Sequence, residues 1–228
     1  MHAAIWRIAS FIFVSVFAIS SIFAAGERNT FYPLQFSTGK FHGCPSDGRG
    51  KSRDPYLCRL KNRDKPPPGG KIYTVAQLYR VTPSLPRRKV NRDTWTAQQQ
   101  DLAARWERGG VMVQGYLLDS VTEDPESCNC GDETYVDHHL WLAGSPTASK
   151  ARAMVVEVSP RTWLTHPTWR DNKTFKELVR AKAKVRVAGW LMWDQEHQPH
   201  VGHSRLTLWE IHPIHTIQVL RGGHWIDI

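Results

Sequence analysis

Asp137, His139, Glu157, Arg161, Glu210 and His212 are the side chains of this 228-residue chain whose types and spacing point most directly to chemistry. Asp137 and His139 stand two residues apart, as do Glu210 and His212, and in an extended strand that spacing puts both members of a pair on one face. If the two faces meet, carboxylates and imidazoles converge into a donor set for a divalent metal ion, with Arg161 nearby to stabilise an anion. No His-Glu-x-x-His or comparable motif fixes the geometry, and carboxylates and histidines on a half-exposed sheet also pair with one another or with water. A structural or binding role is therefore preferred. The alternative is a metal-dependent hydrolase of phosphodiesterase or nuclease type. A second histidine group, His197, His200 and His203, lies in a polar stretch with Asp194 and Glu196, where metal binding or pH sensitivity competes with a solvated loop.

Aromatic residues make up the other candidate set. Trp141 and Trp209 fall on strand-like segments and Trp163 and Trp169 in a loop. Their rings offer stacking surfaces for bases or sugars, with core packing as the competing use. The loop pair is expected to be the better placed for a ligand.

These residues need elements to hold them. Thr96-x-x-Gln99 reads as a capping box opening a helix that Gly109-Gly110 stops. Strand-like runs follow at 111–118, 137–142 and 153–158, then a helix at about 172–183, a strand at 184–192, and a last strand from 206 to 211 and again past Pro213 to 220. The order β-β-β-α-β-β, with a bend-permitting glycine in the first strand (Gly115) and the fourth (Gly189), predicts a mainly β, five-stranded OB-like barrel with a leading helix over 94–228. Before it, residues 26–93 form a basic, Gly/Pro-rich, coil-rich arm.

Gly115-Tyr116-Leu117, Glu126-Ser127-Cys128-Asn129-Cys130, Asp137-x-His139-x-Trp141-Leu142, Val156 to Arg161, Gly189-Trp190-Leu191 and Trp209 to Pro213 resemble a group of exported bacterial proteins of unassigned function. The resemblance spans most of 94–220 and the Leu60 to Arg63 patch. It implies an OB-like fold and no activity.

The formal net charge of +9 is unevenly spread. Residues 26–110 hold 17 Lys and Arg against 7 Asp and Glu, whereas 111–228 hold 12 against 14. An acidic partner would therefore meet the arm, and the near-neutral barrel lacks the field that nonspecific nucleic-acid binding uses. Single-stranded nucleic acid, a glycan or a protein remain the ligand classes. Cys44, Cys58, Cys128 and Cys130 favour disulfides in any of three pairings over a four-thiolate zinc site. Residues 1–25, with Arg7 ahead of an uncharged apolar run to Phe23 and a small-residue exit, read as a signal peptide. An exported protein, periplasmic or secreted, with no transmembrane span in its mature part, is the expectation. The absence of alanine at the −3 position leaves a retained anchor as the alternative.

Overall fold

A computed structural model describes residues 34–48, 54–86 and 92–228. The signal-peptide assignment lies outside the described residues. In chain order the helices and strands are α1 (Pro55–Lys61), β1 (Lys71–Thr74), α2 (Val75–Val81), α3 (Ala97–Glu107), β2 (Gly110–Thr122), β3 (His138–Ala143), β4 (Met154–Val158), α4 (Pro160–Trp163), α5 (Lys173–Arg180), β5 (Lys184–Trp193), β6 (Trp209–Arg221) and β7 (His224–Asp227).

Five of these strands close on themselves. β2 pairs with β3, β3 with β4, β4 with β6, β6 with β5, and β5 returns to β2. All pairings in the ring are antiparallel except the short parallel contact of β4 with β6, where Val156 faces Ile211. With α5 between the third and fourth barrel strands, this is the OB arrangement. Alternate residues fill the barrel: Val111 and Val113, Leu140 and Leu142, Met154, Val156 and Val158, Val185 and Val187, Trp209 and Ile211, joined by Phe175 and Leu178 from α5. Closure depends on two glycines. A Cβ on Gly115 would lie 2.4 Å from the Ala143 carbonyl oxygen, and one on Gly189 would lie 2.3 Å from that of Pro213. Only glycine lets the neighbouring backbone approach so closely.

β6 runs through Pro213, where the sequence suggests an interruption. Proline removes a ladder donor, but the β5–β6 register is already irregular around Gly189, so the missing N–H falls where pairing is broken anyway.

The capping box of α3 forms as expected, with Thr96 Oγ1 accepting from Gln99 N at 3.3 Å and Gln99 Oε1 from Thr96 N at 3.0 Å. Among its described residues the arm contributes short elements of its own. Asp54 caps α1 by accepting from Leu57 N, Pro55 occupies its first turn, and a second capping box joins Thr74 and Gln77 at the start of α2. β1 pairs in parallel with β2, and β7 forms a hairpin with β6 through Gly222-Gly223, both at positive φ. The cysteines pair crosswise, Cys44 with Cys130 and Cys58 with Cys128, which ties the arm to the turn after β2. Among the described residues no helix is long and apolar enough to cross a membrane.

Candidate functional site

Because Leu140, Leu142, Val156, Val158, Trp209 and Ile211 point into the barrel, the residues between them point out: His139 and Trp141 on β3, Glu157 on β4, Glu210 and His212 on β6. Register completes the row, with His139 opposite Glu157 and Glu210 opposite Met192. This outer face is covered. α1 lays Leu57 and Leu60 on Met192, and the disulfide-bonded turn at 126–130 and the 194–208 loop close around it. Glu210 and His212 are 0% exposed, Asp137 2% and Glu157 4%.

A network of ionisable groups fills the space under the cover. His212 Nδ1 lies 3.0 Å from Glu157 Oε2 and 3.4 Å from Glu210 Oε1, while its Nε2 lies 3.5 Å from Asp137 Oδ2. His139 Nδ1 is 3.0 Å from Glu157 Oε1 and 3.2 Å from Glu123 Oε1. Arg205, itself buried, reaches Glu210 at 3.3 Å and Asp194 at 3.8 Å, and Asp194 also pairs with His197. From the cover, Lys61 Nζ donates to Glu126 at 2.9 Å and Asn129 Nδ2 to Asp137 at 3.1 Å.

The protonation tendencies follow from burial opposed by neighbours. Burial lowers the proton affinity of His212, but Glu157 first, then Glu210 and Asp137, outweigh it and raise the pKa to about 10. His139 is likewise pulled down by burial and carried up to about 9 by Glu123 and Glu157. Burial would raise Glu157, yet His212 and His139 hold it well below the usual carboxylate range. Asp137 goes the other way: burial, then Glu126, push it well above its ordinary value, against a partial pull from His212.

Five of the six polar residues singled out by spacing thus sit together, and Arg161 does not. It lies just after β4 in α4, and that helical turn carries its guanidinium to the arm, where it donates to the carbonyls of Cys44 (3.2 Å) and Pro45 (3.4 Å) and lies over Phe41. Among the described residues, Asp137, Glu157 and His212 form the group near enough to one another to hold an ion. The loop histidines serve other contacts, His197 on Asp194 and His200 on Ser204, with His203 exposed. All four cysteines are in disulfides, so a thiolate zinc site is ruled out.

The aromatic expectation needs a larger correction. Trp163, Trp169 and Trp209 are core residues, and the indoles of Trp169 and Trp209 donate to the carbonyls of Ile228 and Pro83. A hydrophobic ring of this size in a small barrel is worth more buried than displayed. Trp141 alone of the four is half-buried at the surface. Its Nε1 donates to Ser204 O at 2.6 Å, the His139 ring is 4.3 Å away, and Lys150 Nζ stands 3.7 Å over its ring while pairing with Asp119.

Sequence reasoning missed Arg205, Lys61, Glu126 and Asn129 as members of the network. Arg205 had no periodic signal, since it comes from an irregular loop. Asn129 and Glu126 carried one signal, their place beside Cys128.

No protein-family model matches the chain, and comparison with curated protein sequences gives no match. A crystal structure of yeast Stn1 and Ten1 is similar to this chain at a TM-score of 0.36 and 12% identity, over 84% of this chain and 80% of that one, a likeness too distant to bear on function.

Proposed function

We propose that the protein is an exported OB-fold binding module that takes a glycan at the uncovered margin of the outer face of β3, beside Trp141. The observation that carries this reading is the position of Trp141. In OB folds the face of the second and third barrel strands, flanked by the first and last interstrand loops, receives the ligand. Trp141 lies on that face, at the margin of the cover, with its indole fixed to the last loop through Ser204. Lys150 over the ring is a displaceable cap, because its pair with Asp119 is half-exposed and such a pair is worth about 0–1 kcal/mol.

Charge favours a neutral sugar over a nucleic acid. Lys150, the cation over Trp141, is neutralised by Asp119, and residues 111–228 carry two more acidic than basic side chains. A strand of phosphates would meet no net positive field on the barrel. The basic arm, residues 26–93, is the part that would attract an acidic partner. Export is supported by two disulfides, which persist in oxidising compartments, by the signal-peptide pattern of residues 1–25 and by the resemblance to exported bacterial proteins. The hydrolase alternative is disfavoured by the burial of Glu157 and His212, which leaves a scissile bond no approach to them.

Calorimetric titration with cell-wall glycan fragments and with single-stranded oligothymidylate, each at low and high salt, tests the reading. Salt-insensitive glycan binding that Trp141→Ala removes is the expected result. Salt-sensitive binding of the oligonucleotide in its place would reassign the module to nucleic acid.

A further inference from the structure

We propose that Asp137, Glu157 and His212 hold a divalent first-row metal ion, zinc by preference, between the outer face of the barrel and its cover. One oxygen from each carboxylate and one ring nitrogen of His212 lie within 4.8 Å of one another. Zinc bonds of about 2.0–2.2 Å put ligand atoms about 3–3.5 Å apart at tetrahedral to octahedral angles, so a contraction of the set suffices. The three residues come from the end of the loop before β3, from β4 and from β6, segments held by the barrel's own ladder.

The hydrogen bonding of His212 is the second, independent sign. Both of its ring nitrogens are buried, and neither makes an aligned hydrogen bond, although carboxylate oxygens lie 3.0–3.5 Å away. Buried polar groups of this kind are normally satisfied. A ring nitrogen and a carboxylate oxygen close together but off the N–H axis stand as two ligands of a single ion do; one nitrogen of His212 would face the ion, and the other would keep its carboxylate neighbour. Glu210, 3.4 Å from the same ring, also makes no aligned hydrogen bond through either buried oxygen, although Arg205 stands 3.3 Å from one of them.

The remaining carboxylate oxygens are arranged to match. Asp137 uses Oδ1 to accept from Asn129, which leaves Oδ2 facing His212. Glu157 meets His139 through Oε1, which leaves Oε2 facing His212. Outer partners that fix one oxygen and free the other are how proteins aim metal ligands. Charge points the same way: Asp137, Glu157, Asp194 and Glu210 are all buried, Arg205 contacts only Asp194 and Glu210, and Asp137 and Glu157 face histidines rather than a guanidinium or ammonium. One imidazole with two carboxylates suits zinc or manganese, and zinc binds such donors more tightly. Because the ligands are almost wholly enclosed, the ion's role is to hold the strands together.

The test uses the full chain with its disulfides intact. After equilibration with zinc and removal of free metal, elemental analysis is expected to find one zinc per chain. Cobalt in its place should give visible absorption. Asp137→Asn is expected to abolish stoichiometric binding, Asn129→Ala to weaken it about 10–100-fold, and His200→Ala with His203→Ala to leave it unchanged. If Asp137→Asn does not fold, Glu157→Gln is measured instead. A folded wild-type chain that takes up neither metal, or a folded ligand variant that binds as wild type does, overturns the proposal. So does loss of the metal in the loop-histidine variant.

Discussion

Cys58 in α1 is bonded to Cys128, and Cys128 is followed at once by Asn129, whose amide holds Asp137. The arm's helix and the turn that orients a buried carboxylate are therefore one covalent piece. This bridge closes a loop of sequence separation 70, for which the chain-entropy estimate is about 4 kcal/mol.

Replacing both Cys58 and Cys128 by alanine should lower stability by about 2–5 kcal/mol in urea unfolding. It should also raise hydrogen exchange across α1 and 126–130 more than across β2 and β5. A loss below about 1 kcal/mol with no change in exchange would mean that the cover is held by its packing alone.

Arg205→Met keeps the volume of the side chain and removes the guanidinium that contacts Asp194 and Glu210. Leaving buried carboxylates without their cation costs about 3–5 kcal/mol. Thermal unfolding should show a correspondingly large drop. An unchanged midpoint would show that Asp194 and Glu210 do not depend on Arg205.

His215 gives the pH prediction. Burial, then Arg63 and His166, depress its pKa from the ordinary 6.5 to about 4. The unfolded chain then binds the extra proton between those values. The stabilisation is complete above about pH 6.5 and is lost as pH falls toward 4. His215→Gln should flatten the acid side of the stability profile over that window. If the slope from pH 6.5 to 4 is the same in both proteins, His215 is not responsible.

Gly189→Ala would place a methyl group 2.3 Å from the Pro213 carbonyl oxygen. Such overpacking costs about 1–3 kcal/mol. Denaturant unfolding measures it, and a neutral result would mean that β5 and β6 can part locally.

Particular residues explain what was readable from sequence. Val111 and Val113, Leu140 and Leu142, and Val185 and Val187 alternate in and out, a local signal that a strand carries in its own sequence. Gly115 and Gly189 were legible as bend-permitting positions, whereas the backbone that approaches each of them is nonlocal. His139, Glu157 and His212 could be listed as candidates, but their meeting depends on the β3–β4–β6 register, which is nonlocal. The cover was least legible, since Glu126 and Arg205 come from irregular segments and Lys61 from the end of the short helix α1, which the crossed disulfides bring there. Trp163 and Trp169 were misjudged because a loop position says little about burial when the loop packs onto the barrel end.

The central claim is that Trp141 meets the ligand, and the indole N–H signals of the tryptophans test it most directly. In a titration of the nitrogen-15 labelled chain with a cell-wall glycan fragment, the Trp141 signal, assigned with Trp141→Phe, should shift progressively while those of Trp163, Trp169 and Trp209 stay in place. A saturating ligand that leaves the Trp141 signal unmoved would contradict the account.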